Sequence, residues 1–236
     1  MSGNYTVASA FIDMFAAPGK AIDGIRSHLA WFWWPLLVVL LASAAIVAGY
    51  MVWVDFEWLI DQTVRMAVPP GGDPAIAESV RKFMNPTMMI ASGLVGLVLG
   101  TGVIHLLLAV YLHLVNKVVG DPAGGFGQWF VLSVWAALPP GLFSALSSAL
   151  VIATAESNQL PQDALNPLSL QSLIIHAEPA TAWYGWGNAL TVLNLWLIGL
   201  LTLGFMRWTG VSLGKSLVFV AAPWVLIFGG WAAVIA

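Results

Sequence analysis

The distribution of charge constrains this chain more than any other feature. Asp, Glu, Lys and Arg are absent from five long intervals: Ser27 to Val54, Phe83 to Asn116, Pro122 to Ala155, Pro179 to Met206 and Ser216 to Ala236. A hydrocarbon core about 30 Å thick is crossed by about 20 mostly apolar helical residues, and charge-free runs of that length are rare in soluble chains. The expected fold is therefore all-α: a polytopic membrane protein with five transmembrane helices, over about residues 33–54, 86–115, 127–153, 185–206 and 215–235.

Hydrophobic residues occupy 60% of the 236 positions and charged residues 8%, where a soluble domain carries about 25% charged. No polar stretch is long enough for a separate globular core. Residues 1–30 thus read as a cytoplasmic amphipathic segment and residues 31–236 as one membrane domain. Cysteine is absent, which excludes disulfides, thiolate metal sites and a cysteine nucleophile. A net charge of −3 argues against nucleic acid as a partner. Met1 to Ser27 has acidic residues and a proline where a signal peptide needs an apolar core, so the first span is expected to be a retained anchor.

Orientation follows from basic residues beside the spans, which favour the cytoplasm. Lys20, Arg26, Lys117, Arg207 and Lys215 fall on one side. On the other, Arg65, Arg81 and Lys82 are diluted by eight acidic residues: Asp55, Glu57, Asp61, Asp73, Glu78, Glu156, Asp163 and Glu178. The N-terminus is expected in the cytoplasm and Ala236 outside.

Val7 to Ser27 has helical spacing, with a break at Pro18 and Gly19. Phe11, Met14, Phe15, Ile22 and Ile25 form an apolar stripe, and Asp13, Lys20, Asp23 and Arg26 lie off it. Two placements are open: packed on the cytoplasmic end of the bundle, or lying in the lipid interface. Trp31, Trp33 and Trp34 open the first span, with Trp53 and Trp58 as the matching belt across the membrane. The outer loops are expected to be helical. Asp55 to Asn85 reads as two short helices broken at Pro69 to Gly72, with Asp73 as N-cap and Pro74 at the first helical position of the second. In the other outer connection, Leu168 to Ile175 is too short to cross and is expected along the outer interface.

Ser92, Gly96 and Gly100 recur every four residues along the second span and form a groove where a helix can approach closely, from within the chain or from a second copy. His105 lies about 160° around the helix from that groove. Pro139, Pro140 and Gly141 fall near the middle of the third span and Pro223 near the middle of the fifth. Each proline removes a donor and frees a carbonyl one turn earlier, so both helices are expected to kink. In the fourth span Asn188, Thr191 and Asn194 drift along one side, with Thr202 returning to it. With the spans stacked, Asn194 shares a central layer with both proline breaks, and His105 sits about one turn toward the cytoplasm. His105, Pro139, Pro140, Asn194 and Pro223 are thus the candidate substrate or ion site. The bland alternative is packing by kinked helices, with a neutral histidine satisfied by a carbonyl.

Catalytic patterns are weak. His113 follows His105 by eight residues, too far to chelate one ion from a straight helix. His176 and Glu178 lie in a loop with Glu156 and Asp163, but no ligand spacing repeats. No His-Glu-x-x-His pair is present, and glycine-rich Gly120 to Gly127 lacks the lysine of a phosphate loop. No enzyme activity, metal or cofactor is expected.

The segment Met14-Phe-Ala-Ala-Pro-Gly-Lys-Ala-Ile-Asp-Gly-Ile25, followed by a tryptophan-rich span, resembles the bacterial branch of the Yip1 family. Val54-Asp-Phe-Glu-Trp-Leu-Ile60 and Gly214-Lys-Ser-Leu ahead of Pro223 are similar as well. The resemblance implies a cytoplasmic N-terminal segment, five spans, a long connection after the first span, and an inner-membrane location. Eukaryotic relatives are linked to Rab GTPases through longer cytosolic N-terminal regions with tyrosine-glycine motifs. This chain has about 30 residues before its first span and no such motif there, so Rab binding does not carry over. No catalytic residues come with the resemblance.

Two functions from different classes are consistent with these features. One is a non-enzymatic organiser that binds membrane lipids, itself or another membrane protein through its surface helix and small-residue groove. The other is a small transporter or channel working through the kinked layer and His105.

Overall fold

The computed structural model describes residues 5–68, 73–119, 124–179 and 181–236. The expected break at Pro69 to Gly72 and the start of the Gly120 to Gly127 run lie outside them. The α-helices are α1 (Val7–Ala16), α2 (Pro18–Ile25), α3 (Trp33–Trp53), α4 (Phe56–Ala67), α5 (Pro74–Phe83), α6 (Pro86–Val119), α7 (Phe126–Thr154), α8 (Ala182–Ala189), α9 (Leu193–Thr209) and α10 (Leu213–Ile235). Among the described residues four helices are long and apolar enough to cross a membrane: Leu29–Trp53, Pro86–Val119, Phe126–Thr154 and Leu213–Ile235. The chain is an all-helical, multi-pass membrane protein.

The fourth expected span, about 185–206, is not one helix. It is divided into α8 and α9, because Leu190 is extended and its carbonyl accepts the N–H of Leu170 at 2.8 Å. Ser169 and Thr191 pair beside it as an isolated antiparallel bridge. A tertiary partner thus overrides helix propagation at a point where hydropathy continues without a change.

The helices divide into two compact units. The first comprises residues 1–40, 100–143 and 192–236. Its core is continuous from the start of the chain: Ala10, Met14, Ala21, Ile22 and Ile25 pack with Leu108, Ala109 and Leu112 of α6, with α7 from Trp129 to Leu138, and with Leu201 and Phe205 of α9. α7 is central, since every residue from Val131 to Ala136 is buried. Gly204 lets α9 reach it, because a Cβ there would stand 2.5 Å from Cδ1 of Leu132.

α1 and α2 form a hairpin whose break falls at Ala17. The Tyr5 ring lies against Gly24, where any Cβ would drive into it, and it stacks on Trp31 at 6.4 Å between centroids. Asp13 is buried and not on an outer polar face: it accepts from Tyr5 Oη at 3.0 Å and pairs with Lys20 Nζ at 2.9 Å. Lys20 is the main reason that its carboxyl is held below the usual range, with Tyr5 adding to the effect. Of the apolar stripe, Met14, Ile22 and Ile25 face the core, whereas Phe15 is exposed beside Ile12. The hairpin is fastened to α9 by three contacts. Arg207 makes a two-pronged ion pair with Asp23, Trp208 Nε1 donates to the Ile22 carbonyl at 3.3 Å, and the Arg26 guanidinium stands 5.7 Å from the Trp208 ring centroid.

The second unit comprises residues 41–99 and 144–191. Tyr50, Met51, Val54 and Leu59 form its core, with Trp53, Trp58, Met89 and Ile152 packed around them. Asp55 caps α4 by accepting from Trp58 N–H at 3.1 Å, and Asp73 caps α5 from Ala75 N–H at 2.8 Å, ahead of Pro74. Arg81 and Asp61 join the two helices at 2.6 Å. Of the expected tryptophan belt, Trp33 and Trp34 are exposed, Trp31 packs within the hairpin, and Trp53 and Trp58 pack against the second core.

Candidate functional site

On α6 the buried residues His105, Leu108, Ala109, Leu112 and Asn116 recur at three- and four-residue steps, which makes one inward stripe. The residue set against His105 is Ser133 of α7. Its hydroxyl donates to the Phe130 carbonyl at 2.8 Å and lies 3.5 Å from the His105 carbonyl. The His105 Nδ1 atom is buried with no hydrogen-bond partner among the described residues.

Pro139 and Pro140 are buried in α7, which continues as helix through both. They remove the donors that would have met the carbonyls of Trp135 and Ala136. Gly141 admits α3 at close range, since Val39 Cγ1 would be 2.8 Å from a Cβ placed there. Just beyond it, Phe143 meets Trp196 edge-on at 5.2 Å, so this part of α7 adjoins the start of α9, where Asn194 sits half-buried. Pro223 is also half-buried, within continuous α10. The carbonyl it deprives of a donor belongs to Phe219, and Tyr111 of α6 fills that place with its hydroxyl at 2.6 Å. All five candidate site residues belong to the first unit, whereas Asn188 and Thr191 belong to the second. The single polar stripe drawn through Asn188, Thr191 and Asn194 ends with the helix that was to carry it.

Ser92 and Gly96 are exposed and Gly100 is half-buried. A Cβ on Gly96 or on Gly100 would meet nothing within 4 Å among the described residues, so neither glycine is in close contact with a described helix. The close approach expected there occurs at Gly93, where Val47 Cγ1 would lie 3.2 Å from an added Cβ.

The family model of the Yip1 domain matches residues 12–234. The chain belongs to the Yip1 family. No curated protein and no solved structure matches it. The Yip1 match begins inside α1 and runs into the last turn of α10, so most of the N-terminal hairpin is part of the Yip1 domain and not an appendage to it.

Several buried polar atoms of this Yip1 domain were not visible as such in the sequence. Asn116 Oδ1, Trp129 Nε1, Trp135 Nε1 and Thr202 Oγ1 are buried without a hydrogen-bond partner among the described residues. Asn116 merely closes a charge-free interval, and the two tryptophans read as apolar, so nothing in the sequence singled them out. One motif also escaped the sequence reading. Gly210-Val211-Ser212-Leu213-Gly214 spells Gly-x-Ser-x-Gly, the lettering of a hydrolase nucleophile elbow. Here it joins two helices: Gly210 closes α9 at φ 72° and Ser212 precedes α10, with no strand to hold a strained nucleophile. His176, one of the loop residues weighed as a metal ligand, has its Nδ1 atom 3.1 Å from the Ile174 carbonyl.

Proposed function

We propose that this Yip1-family protein is a non-enzymatic membrane organiser of the bacterial branch, which binds lipid or a membrane protein on its lipid-facing surface. The observation that carries the reading is the Tyr111 hydroxyl on the Phe219 carbonyl. The most transport-like feature of the last helix, the group freed by Pro223, is used for packing within the chain. Close contact between Val39 and Gly141 supports the same reading for the proline pair of α7. Surfaces for an organiser are available: Ile12 and Phe15 on the outer face of the hairpin, Trp33 and Trp34 nearby in sequence, and the unfilled Ser92, Gly96 and Gly100 groove.

In this reading the chain crosses an inner membrane five times. The fourth crossing is α9, whose 17 residues extend about 25 Å, completed by the extended residues before it. The N-terminus is cytoplasmic and the C-terminus outside, which the basic residues beside the hairpin and α9 support.

Native mass spectrometry of the purified protein, with Gly96→Leu and His105→Ala beside the wild type, tests the proposal. The organiser predicts that Gly96→Leu alters the oligomer or the retained lipid and that His105→Ala does not. A small solute lost only from the His105→Ala protein would overturn it. The transporter reading keeps one observation in its favour, the unpartnered Nδ1 of His105, and predicts pH-dependent flux in proteoliposomes that this variant abolishes.

A further inference from the structure

We infer that the connection between α7 and α9 does not rest on the membrane surface but folds back into the bilayer, with Leu173 and Ile174 seated among acyl chains. The inference rests on the membrane reading above and adds a depth to one segment of it.

Three observations within the second unit carry it. The chain leaves α7 at Thr154 and then descends. The Leu160 carbonyl accepts Tyr50 Oη at 2.7 Å, about one turn before α3 ends at Trp53. The Leu165 carbonyl accepts Ser148 Oγ at 2.6 Å, and Ser148 lies six residues, or about 9 Å, below the last residue of α7. Eleven residues of connection thus run back along the ends of two crossing helices.

The second observation is how the irregular backbone is satisfied. Gln171 to Ile175 forms a π-type turn in which His176 N–H donates to the Gln171 carbonyl at 3.0 Å. The buried Gln171 side chain then closes the loop twice, donating to the Ala177 carbonyl at 2.7 Å and accepting its N–H at 3.2 Å. Ser169 Oγ accepts Ser172 N–H, Ser172 Oγ donates to the Asn166 carbonyl, and Asn166 Nδ2 donates to the Asn188 carbonyl, each near 3 Å. A loop in water uses such bonds too, but can leave the remaining groups to solvent. Non-helical backbone at membrane depth must have it, because hydrocarbon offers no partner.

The third is the apex. Between these bonded segments Leu173 and Ile174 point outward, with Ile174 68% exposed. Two large aliphatic side chains at the tip of a self-bonded turn match acyl chains and not water.

The chain has no cysteine, so a nitroxide can be placed at single sites in the otherwise native protein. The test is collision accessibility of the spin label to oxygen and to a water-soluble nickel chelate. The full-length protein would be reconstituted in phosphatidylethanolamine and phosphatidylglycerol vesicles. Ile174→Cys and Leu173→Cys report the apex, Glu156→Cys an aqueous reference, and Leu99→Cys and Val225→Cys the lipid-facing spans. The expected result is nickel accessibility at the two apex sites several-fold below that at position 156, with oxygen accessibility approaching that at 99 and 225. Apex labels as nickel-accessible as position 156, with 99 and 225 lipid-like, would overturn the inference alone. Aqueous values at all five would overturn the membrane reading and this inference with it.

Discussion

The Tyr111 hydroxyl stands 2.6 Å from the Phe219 carbonyl, at the place where Pro223 has removed the helix's own donor. α6 thus supplies to α10 the hydrogen bond that α10 cannot make for itself. Tyr111→Phe should destabilise the protein by about 0.6 kcal/mol, and at most about 1.7, the range measured for hydrogen bonds between membrane helices. The effect should shrink in a Pro223→Ala background, where the backbone N–H returns. A double-mutant cycle read by steric-trap unfolding in bicelles checks this, and equal losses in both backgrounds would dissociate Tyr111 from Pro223.

Two glycines separate packing from open surface. Gly204→Ala should place a methyl group 2.5 Å from Leu132 Cδ1 and cost about 1–3 kcal/mol through overpacking. Gly96→Ala meets nothing within 4 Å and should leave the monomer's thermal midpoint unchanged. Melting curves in detergent, at a protein concentration that keeps the chain monomeric, distinguish the two.

Acid should loosen the N-terminal hairpin. Lys20 and Tyr5 hold the Asp13 carboxyl below its ordinary value, so its contribution is complete above the unfolded pKa of about 3.8 and is lost as pH falls through the lower folded value. The protection of α1 against hydrogen exchange, taken relative to the intrinsic rate at each pH, should therefore fall below about pH 4. In Asp13→Asn the loss of protection should already be present at neutral pH and should respond less to acid.

Gln171→Ala should expose the loop it closes. Removing the side chain leaves the half-buried Ala177 N–H and carbonyl without their partners, a loss of about 0.5–1.5 kcal/mol for each bond. Hydrogen exchange across residues 170–178 should accelerate while α9 and α10 keep their protection. Uniform acceleration across the chain would show that Gln171 supports more than its own turn.

Much of this architecture is legible in the sequence because lipid imposes a one-dimensional rule. The charge-free intervals beginning at Ser27, Phe83, Pro122 and Ser216 each cover all or most of a helix long enough to cross. The interval beginning at Pro179 fails as a single helix because the deciding bond comes from Leu170, twenty residues before Leu190 and invisible to any hydropathy window. The same limit applies to the site. The spacing places His105 away from the small-residue groove, and the prolines read as kinks, yet nothing in the order of residues tells that Tyr111 answers Pro223. Asp13 read as a surface charge for a related reason: its partners, Tyr5 and Lys20, come from before α1 and from the next helix of the hairpin, and helical periodicity within α1 takes account of neither.

The fastening of the hairpin to α9 sets an order of events on the ribosome. Ile22 and Trp208 are 186 residues apart in the chain, and Asp23 and Arg207 are 184 apart. The hairpin therefore waits for a segment more than 180 residues further along before it is locked, and until then Met14, Ile22 and Ile25 have no finished surface against which to lie. A nascent chain halted before Arg207 should present this hairpin to proteases and chaperones, whereas one released complete should hide it.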